Sequence, residues 1–420
     1  MIFVAIILAI LAALGWFFGT IQGVLRVALD TPLPLLLGIL WVGATIVTLR
    51  RRRRGVHGAA PQVFAITLGL FIFALDAVLY PIRMTNWAQR YEHSLTKTNG
   101  APEAEFLPRR VLPMEVADQF ARGAQADAQF VYGEVQPTLA TSPLNRGRLV
   151  WQAASRPNSF IGTWTSGLKS IVEVDADTTK PEVHVYQMDL PVGGEGNVND
   201  FALVIHRSID PFSEVLPPVY DVGARQAIVP LVRTIWGIPR YEGVVVFDAA
   251  GNTSKLDWHA AAARYPHLRL YPESLVRWQA DAWGTWRSGI MGYFNKRGVL
   301  ELADIGGNPP PTLLDDPRHA WWVVPMEPVG KSYGLAGLLF VDPSSGRGTF
   351  WNTASQNVMS PSRAIGVAEG DPRIAQLKDA AALEPILAII HSQVNWLVPI
   401  APSSRSQVQS LALVNAHDRS

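Results

Sequence analysis

No cysteine occurs among the 420 residues. Its absence excludes a disulfide framework, thiolate metal ligands and a cysteine nucleophile. Charge is scarce as well. Acidic and basic residues make up 17% of the chain, against roughly 25% in an average soluble protein. A formal net charge of +1 supplies no global field that would gather nucleic acid, so no nucleic-acid partner is expected. Also missing are an HExxH helix or other paired-histidine spacing and a GxSxG nucleophile elbow. Gly330-Lys331-Ser332 ends like a phosphate-binding loop, but Pro325 stands where that loop needs its first glycine. Proline removes the N–H donors that would cradle a phosphate. Asp175-Ala176-Asp177 opens like a calcium loop and lacks the glycine at position six and the glutamate at position twelve. Ser360 and Ser362 have no sequence partner marking them as nucleophiles. Asp315 and Asp316 stand on a proline-rich segment and read as a solvated turn. The chain thus names no catalytic residue, no cofactor and no metal ligand, and it reads as non-enzymatic.

What is present in excess is apolar sequence, 48% of the chain, concentrated before residue 83. Three runs fit spanning helices: Ile2 to Phe18, Leu33 to Leu49 and Val63 to Tyr80. Each is about 17 to 18 residues, near the short end of what crosses a ~30 Å hydrocarbon core. The first run has no basic start and no cleavage-site pattern, so it reads as a retained helix and not as a signal peptide. Arg50, Arg51, Arg52, Arg53 and Arg54 fall between the second and third runs. Basic residues in such a short loop mark its cytoplasmic side and can touch anionic lipid head groups. The expectation is a cell-membrane protein with three spans, a cytoplasmic N-terminus and everything after Tyr80 outside. Asp76, inside the third run, has Arg83 seven residues on, on roughly the same helix face, as an ion-pair partner.

Residues 83–112 read as a juxtamembrane linker, followed by α+β texture. Three stretches, 171–186, 244–258 and 338–351, share one form: four mostly apolar residues, an aspartate, a short turn and a second β-rich stretch. Asp175, Asp248 and Asp342 are placed to accept turn N–H groups, and Gly251 and Gly346 to take a positive φ. Residues 409–418 echo the pattern and stop where its turn would begin, so the expectation is either an unpaired final strand or a protein that continues further. Helical periodicity covers Met114 to Gln129, Glu273 to Phe294 and Ala381 to Leu397. The predicted fold class is α+β: an N-terminal three-helix transmembrane segment followed by repeated helix-on-antiparallel-sheet units. The predicted divisions are 1–82 for the membrane segment, 83–112 for the linker, 113–215 and 216–370 for two α+β units, and 371–420 for a C-terminal helix and strand.

The helix followed by a hairpin with an apolar–Asp–turn–Gly signature resembles PepSY-type repeats over about 110–190 and 220–355. The resemblance implies an envelope role in protease inhibition or regulation and carries over no catalytic residue.

Tryptophan is in surplus, with 14 in the chain. Trp278 and Trp286 fall on the buried face of their predicted helix. Trp283, Trp321 and Trp322 are the candidate recognition residues. The expected function is binding of another protein, as a scaffold subunit of a membrane complex or a regulator of an envelope protease. The alternative is an enzyme or binding protein acting on cell-wall glycan through exposed tryptophans that flank carboxylates.

Overall fold

The computed structural model of the protein describes residues 40–48, 50, 60–124, 130–157, 167–193, 200–303, 305, 311–316, 318–330, 334–377 and 379–417. The expected three-helix membrane segment is overturned. No helix among the described residues is long and apolar enough to cross a membrane. The first predicted span and Arg51 to Arg54 lie outside the described residues, and only residues 40–48 and Arg50 of the second region are seen as helix. The third predicted span does not stop at Tyr80. It belongs to α1 (Ala60–Ser94), a 35-residue helix that passes through Pro81 into polar sequence. Apolar length suggested a self-contained span. Its physical continuation is a packed helix, with Met84, Ala88 and Leu95 buried at helical spacing and Trp87 stacked on Tyr91 at 5.2 Å. Arg83 Nη2 donates to Asp76 Oδ1 at 2.6 Å. With no candidate span among the described residues, the three-span placement in a cell membrane has no support. After α1, β1 (Thr96–Thr98) pairs in parallel with a strand more than two hundred residues later.

Beyond β1 the chain is α+β, in four successive units of helix and sheet. The first comprises α2 (Met114–Gly123), short strands β2 (Phe130–Tyr132) and β3 (Gln136–Leu139), and long strands β4 (Leu149–Pro157), β5 (Leu168–Asp175) and β6 (Val183–Leu190). Both short strands pair with β4, and the meander continues through β5 to β6. The second unit repeats this order with α3 (Phe201–Ser208), β7 (Glu214–Val215), β8 (Val219–Asp221), β9 (Gln226–Ile235), β10 (Ile238–Asp248) and β11 (Thr253–Asp257), then adds α4 (Trp258–Arg264). The third has α5 (Glu273–Trp286), α6 (Gly289–Asn295), β12 (Leu300–Leu302), β13 (Thr312–Asp315), β14 (Ala320–Pro328), β15 (Gly337–Val341) and β16 (Gly348–Asn352), the partner of β1. The fourth has α7 (Pro361–Gly370), α8 (Pro372–Ala375), β17 (Ala380–Ala382), β18 (Ile386–Ile390), β19 (Gln393–Pro402) and β20 (Ser410–Asn415).

Three local readings change. The helix expected over Ala381 to Leu397 is strand. Ile386 to Ile390 is an apolar, isoleucine-rich run, and His391 and Ser392 take φ of 50° and 62° as the two-residue loop joining Ile390 to Gln393. Positive φ at both loop residues matches the right-handed twist of a hairpin, and that geometry outweighs the helical spacing. The stretch 409–418 is not unpaired either, since β20 pairs with β19 from Ser410 to Asn415. The long helix predicted over Glu273 to Phe294 divides into α5 and α6, with Gly289 at a φ of +75°.

One tertiary device recurs in three units. Trp151 of β4 donates its indole N–H to the Leu112 carbonyl, Trp322 of β14 to Tyr271, and Trp396 of β19 to Met359. Each acceptor immediately precedes the N-cap of that unit's helix: Pro113, Pro272 or Ser360. The same three residues donate their own N–H to the carbonyls of Ala176, Pro343 and Ala416. Those carbonyls follow the turn residues Asp175, Asp342 and Asn415. The start of each helix is thereby clamped between a central strand and the end of the next. All three tryptophans are fully buried. Opposite them stand Val174, Val341 and Val414. In the second unit Ala227 takes the tryptophan position, opposite Phe247, so the aromatic bulk moves across the pair. Trp322→Phe is expected to lower unfolding free energy by about 2–4 kcal/mol, combining an orphaned buried carbonyl with a cavity. Urea denaturation with an unchanged m-value would check this.

Candidate functional site

Two residues before the clamp in the first and third units stands an arginine, Arg110 or Arg269. Each guanidinium lies over its own unit's tryptophan, Arg110 at 4.6 Å from the Trp151 ring centre and Arg269 at 5.6 Å from Trp322. Each also reaches across to the opposite unit. Arg110 Nη1 donates to the Leu313 carbonyl on β13 at 3.3 Å, and Arg269 Nη2 donates to Gln136 Oε1 on β3 at 3.1 Å. The two units therefore face each other across a cleft with a matched arginine on either side. Both arginines line a cavity of about 380 Å³, whose rim carries Pro137, Pro217, Pro272 and Pro311. A second cavity of about 350 Å³ adjoins it and shares Arg269, Glu134, Gln136 and Pro217.

The two guanidinium groups differ in how their charge is met. Arg110, 1% exposed, donates through Nη2 to Glu384 Oε2 at 2.7 Å. Glu384 in turn accepts from the Thr312 hydroxyl at 2.7 Å. It arrives on the extended segment between β17 and β18. Arg269, 6% exposed, has no carboxylate within 4 Å among the described residues, and its Nε has no acceptor. The nearest acid along the chain is Glu273, which accepts from Arg277 at 2.6 Å. Burial pulls the Arg269 guanidinium down to about 10, with Glu273 opposing. Burial likewise raises the Glu273 carboxyl, against the pull of Arg269 and Arg277. A buried charge costs several kcal/mol unless paired, so the Arg269 side of the cleft is poised for an anionic oxygen.

Trp283, expected at the surface, is fully buried and meets Phe350 edge-on at 4.9 Å, beneath the Arg287 guanidinium. Helical position alone left its azimuth open; the third sheet covers it. Trp322 is the buried clamp residue, and Trp321 is half-buried against Phe340. These three indoles do not gather into an exposed platform. Asp315 and Asp316 are buried, not solvated. Asp315 accepts from Arg109 Nε at 2.8 Å and Asp316 from Arg318 Nη2 at 3.0 Å, which compensates their removal from water. Asp248 accepts the N–H groups of Ala250 and Asn252, and Asp342 those of Ser344 and Ser345. Asp175 instead accepts from Asn145 Nδ2 at 2.8 Å. Gly251 and Gly346 have φ of +83° and +72°. A Cβ on Gly346 would stand 2.2 Å from the Tyr271 ring, so this glycine also admits the clamp residue. Ser360 caps α7 and lies 3.0 Å from the Ser362 hydroxyl.

Among the described residues, those that could hold a metal are Asp175, Glu182 and His184, each offering one ligand atom within 4.8 Å of the others. Two carboxylates and an imidazole suit a borderline divalent cation. Sequence reading missed this set because Glu182 and His184 come from the far side of the hairpin. It missed the cleft as well. A signal was available in the paired strings RVLP (110–113) and RLYP (269–272), whose common arginine and proline mark equivalent places in two units. No family model, no curated protein and no solved structure matches this chain. Glu384→Ala is expected to destabilise the fold by about 3–5 kcal/mol because it leaves Arg110 buried and uncompensated. A double variant with Arg110→Met should recover much of that loss in calorimetry.

Proposed function

We propose that the chain is a non-enzymatic binding protein whose cleft between the first and third units takes an acidic segment of another protein. The observation that carries this reading is the unequal treatment of two equivalent arginines. At Arg110 the chain itself supplies a glutamate on an extended segment, Leu383-Glu384-Pro385. At Arg269 the matching carboxylate is absent among the described residues, and two adjoining cavities open onto the guanidinium. An extended peptide bearing Glu or Asp would reproduce at Arg269 what Glu384 does at Arg110. Charge-assisted bonds from a desolvated guanidinium are among the stronger polar contacts. The proline-lined rim is stiff and loses little freedom when it is covered. The glycan alternative asked for exposed tryptophans beside carboxylates; Trp283 and Trp322 are buried, and of its three candidate indoles Trp321 alone is half-buried.

The test is a selection of immobilised peptides against the purified chain, followed by titration of the best binders. Selected peptides are expected to share one acidic residue, and replacing it with the amide should weaken binding at least tenfold. Arg269→Met should lose the same peptides while keeping the circular dichroism and unfolding midpoint of a folded protein. Gln136→Glu should place an internal carboxylate at Arg269, raising stability by about 1–3 kcal/mol and closing the site to acidic peptides. An Arg269→Met variant that bound the same peptides equally well would sink the reading.

A further inference from the structure

Far along α5 from the cleft, apolar side chains from three separate parts of the chain collect at one end of the molecule without cover. The tip of the β9–β10 hairpin presents Trp236, 47% exposed, beside Ile235. The short helix α6 presents Met291 at 69% and Phe294 at 68%. Between them runs α1, where Leu79, Tyr80 and Ile82 are exposed. The three parts form one surface. Arg83 of α1 lies 5.2 Å from the Trp236 ring centre. Tyr80 meets Trp286 edge-on at 6.1 Å, Trp286 stacks on Tyr293 at 4.4 Å, and Tyr293 contacts Phe294 at 5.4 Å.

Two properties say what covers this collar. The first is its geometry. Ala77, Val78, Leu79 and Tyr80 are four consecutive exposed residues of one helix. At 3.6 residues per turn they point to all sides of the axis. A folded partner offers a groove that covers one face of a helix, and it would leave the others bare. A fluid apolar medium accommodates every direction at once. The second property is charge. Lys296 sits 5.0 Å above the Tyr293 ring, and it and Arg297 are exposed with no ion-pair partner among the described residues. Aromatic rings fringed by cations match the boundary between acyl chains and anionic head groups, where indole and phenol rings hold both an apolar and a polar neighbour. Basic residues near such a surface add electrostatic attraction that falls off within a Debye length.

We infer that this collar, Leu79, Tyr80, Trp236, Met291 and Phe294 with Lys296 and Arg297 at its edge, docks the protein on an anionic lipid surface. Docking of this kind needs no spanning helix, and it is independent of the peptide cleft. The collar buries into the head-group region, and the basic pair faces the phosphates. β20, in the fourth unit, pairs with β19 and contributes nothing to the collar.

The absence of cysteine makes the test direct, because one introduced thiol is the only site for a fluorescent label. Met291→Cys and, separately, Leu413→Cys on β20 would each carry an environment-sensitive dye in the full chain. Leu413 is an exposed apolar side chain like those of the collar, so it controls for indiscriminate adhesion. Vesicles of phosphatidylcholine with a third phosphatidylserine should shift the emission of the dye at 291 to the blue and leave the dye at 413 unchanged. Lys296→Gln with Arg297→Gln should weaken the response several-fold at physiological salt. Equal shifts at both positions, or none at 291, would overturn the proposal. So would a shift at 291 that appears on raising protein concentration without vesicles, since a second copy of the chain would then be the occupant.

Discussion

An indole N–H bonded to a main-chain carbonyl organises this molecule. Each sheet unit must pack a helix on its face, and the chain just before that helix enters the interior in no regular structure. Its peptide groups would be buried without partners. Leu112, Tyr271 and Met359 solve the problem in the same way, giving their N–H to the turn after one strand and their carbonyl to the tryptophan of another. Tryptophan suits the task because one side chain fills the space under the helix and still carries a donor at its edge. Where the second unit lacks it, Phe247 fills the space from the opposite strand, and Ala227 has no donor with which to form such a clamp.

The cleft grows out of the same device. A guanidinium two residues before the clamp can lie on the indole face only if it too is buried, and a buried cation must find anionic or carbonyl oxygen. The unit opposite supplies a carbonyl at Arg110 and an amide oxygen at Arg269. Full compensation needs a carboxylate. The chain provides one at Arg110 by bending Glu384 inward from the fourth unit, and among the described residues it provides none at Arg269. The asymmetry lies in one carboxylate between two otherwise matched positions.

Periodicity and turn chemistry made several parts of the fold legible. The aspartate-ended hairpins at Asp175, Asp248 and Asp342 correspond to β5–β6, β10–β11 and β15–β16, because local rules of alternation and turn geometry act within about fifteen residues. The helix read over Ala381 to Leu397 failed for the complementary reason. Its spacing fitted a helix, and the strand arrangement was decided by β19 pairing with three different strands. The membrane spans failed similarly: apolar length was counted, while the continuation of α1 onto the third unit was set by packing at Met84, Ala88 and Leu95.

The sequence by itself determined the local pieces: the turn residues, the helix under Glu273, the lack of thiol chemistry, and the excess of tryptophan. Only the tertiary structure decided what those pieces do. It sent Trp283 and Trp322 inside and turned Asp315 and Asp316 into buried ion-pair partners. It also set Arg110 and Arg269, far apart in the chain, on facing walls. Local propensity acts over a few residues and cannot distinguish the buried side of an element from the exposed one. That distinction comes from whichever distant strand or helix lies against it, and so does the charge left without a carboxylate at Arg269.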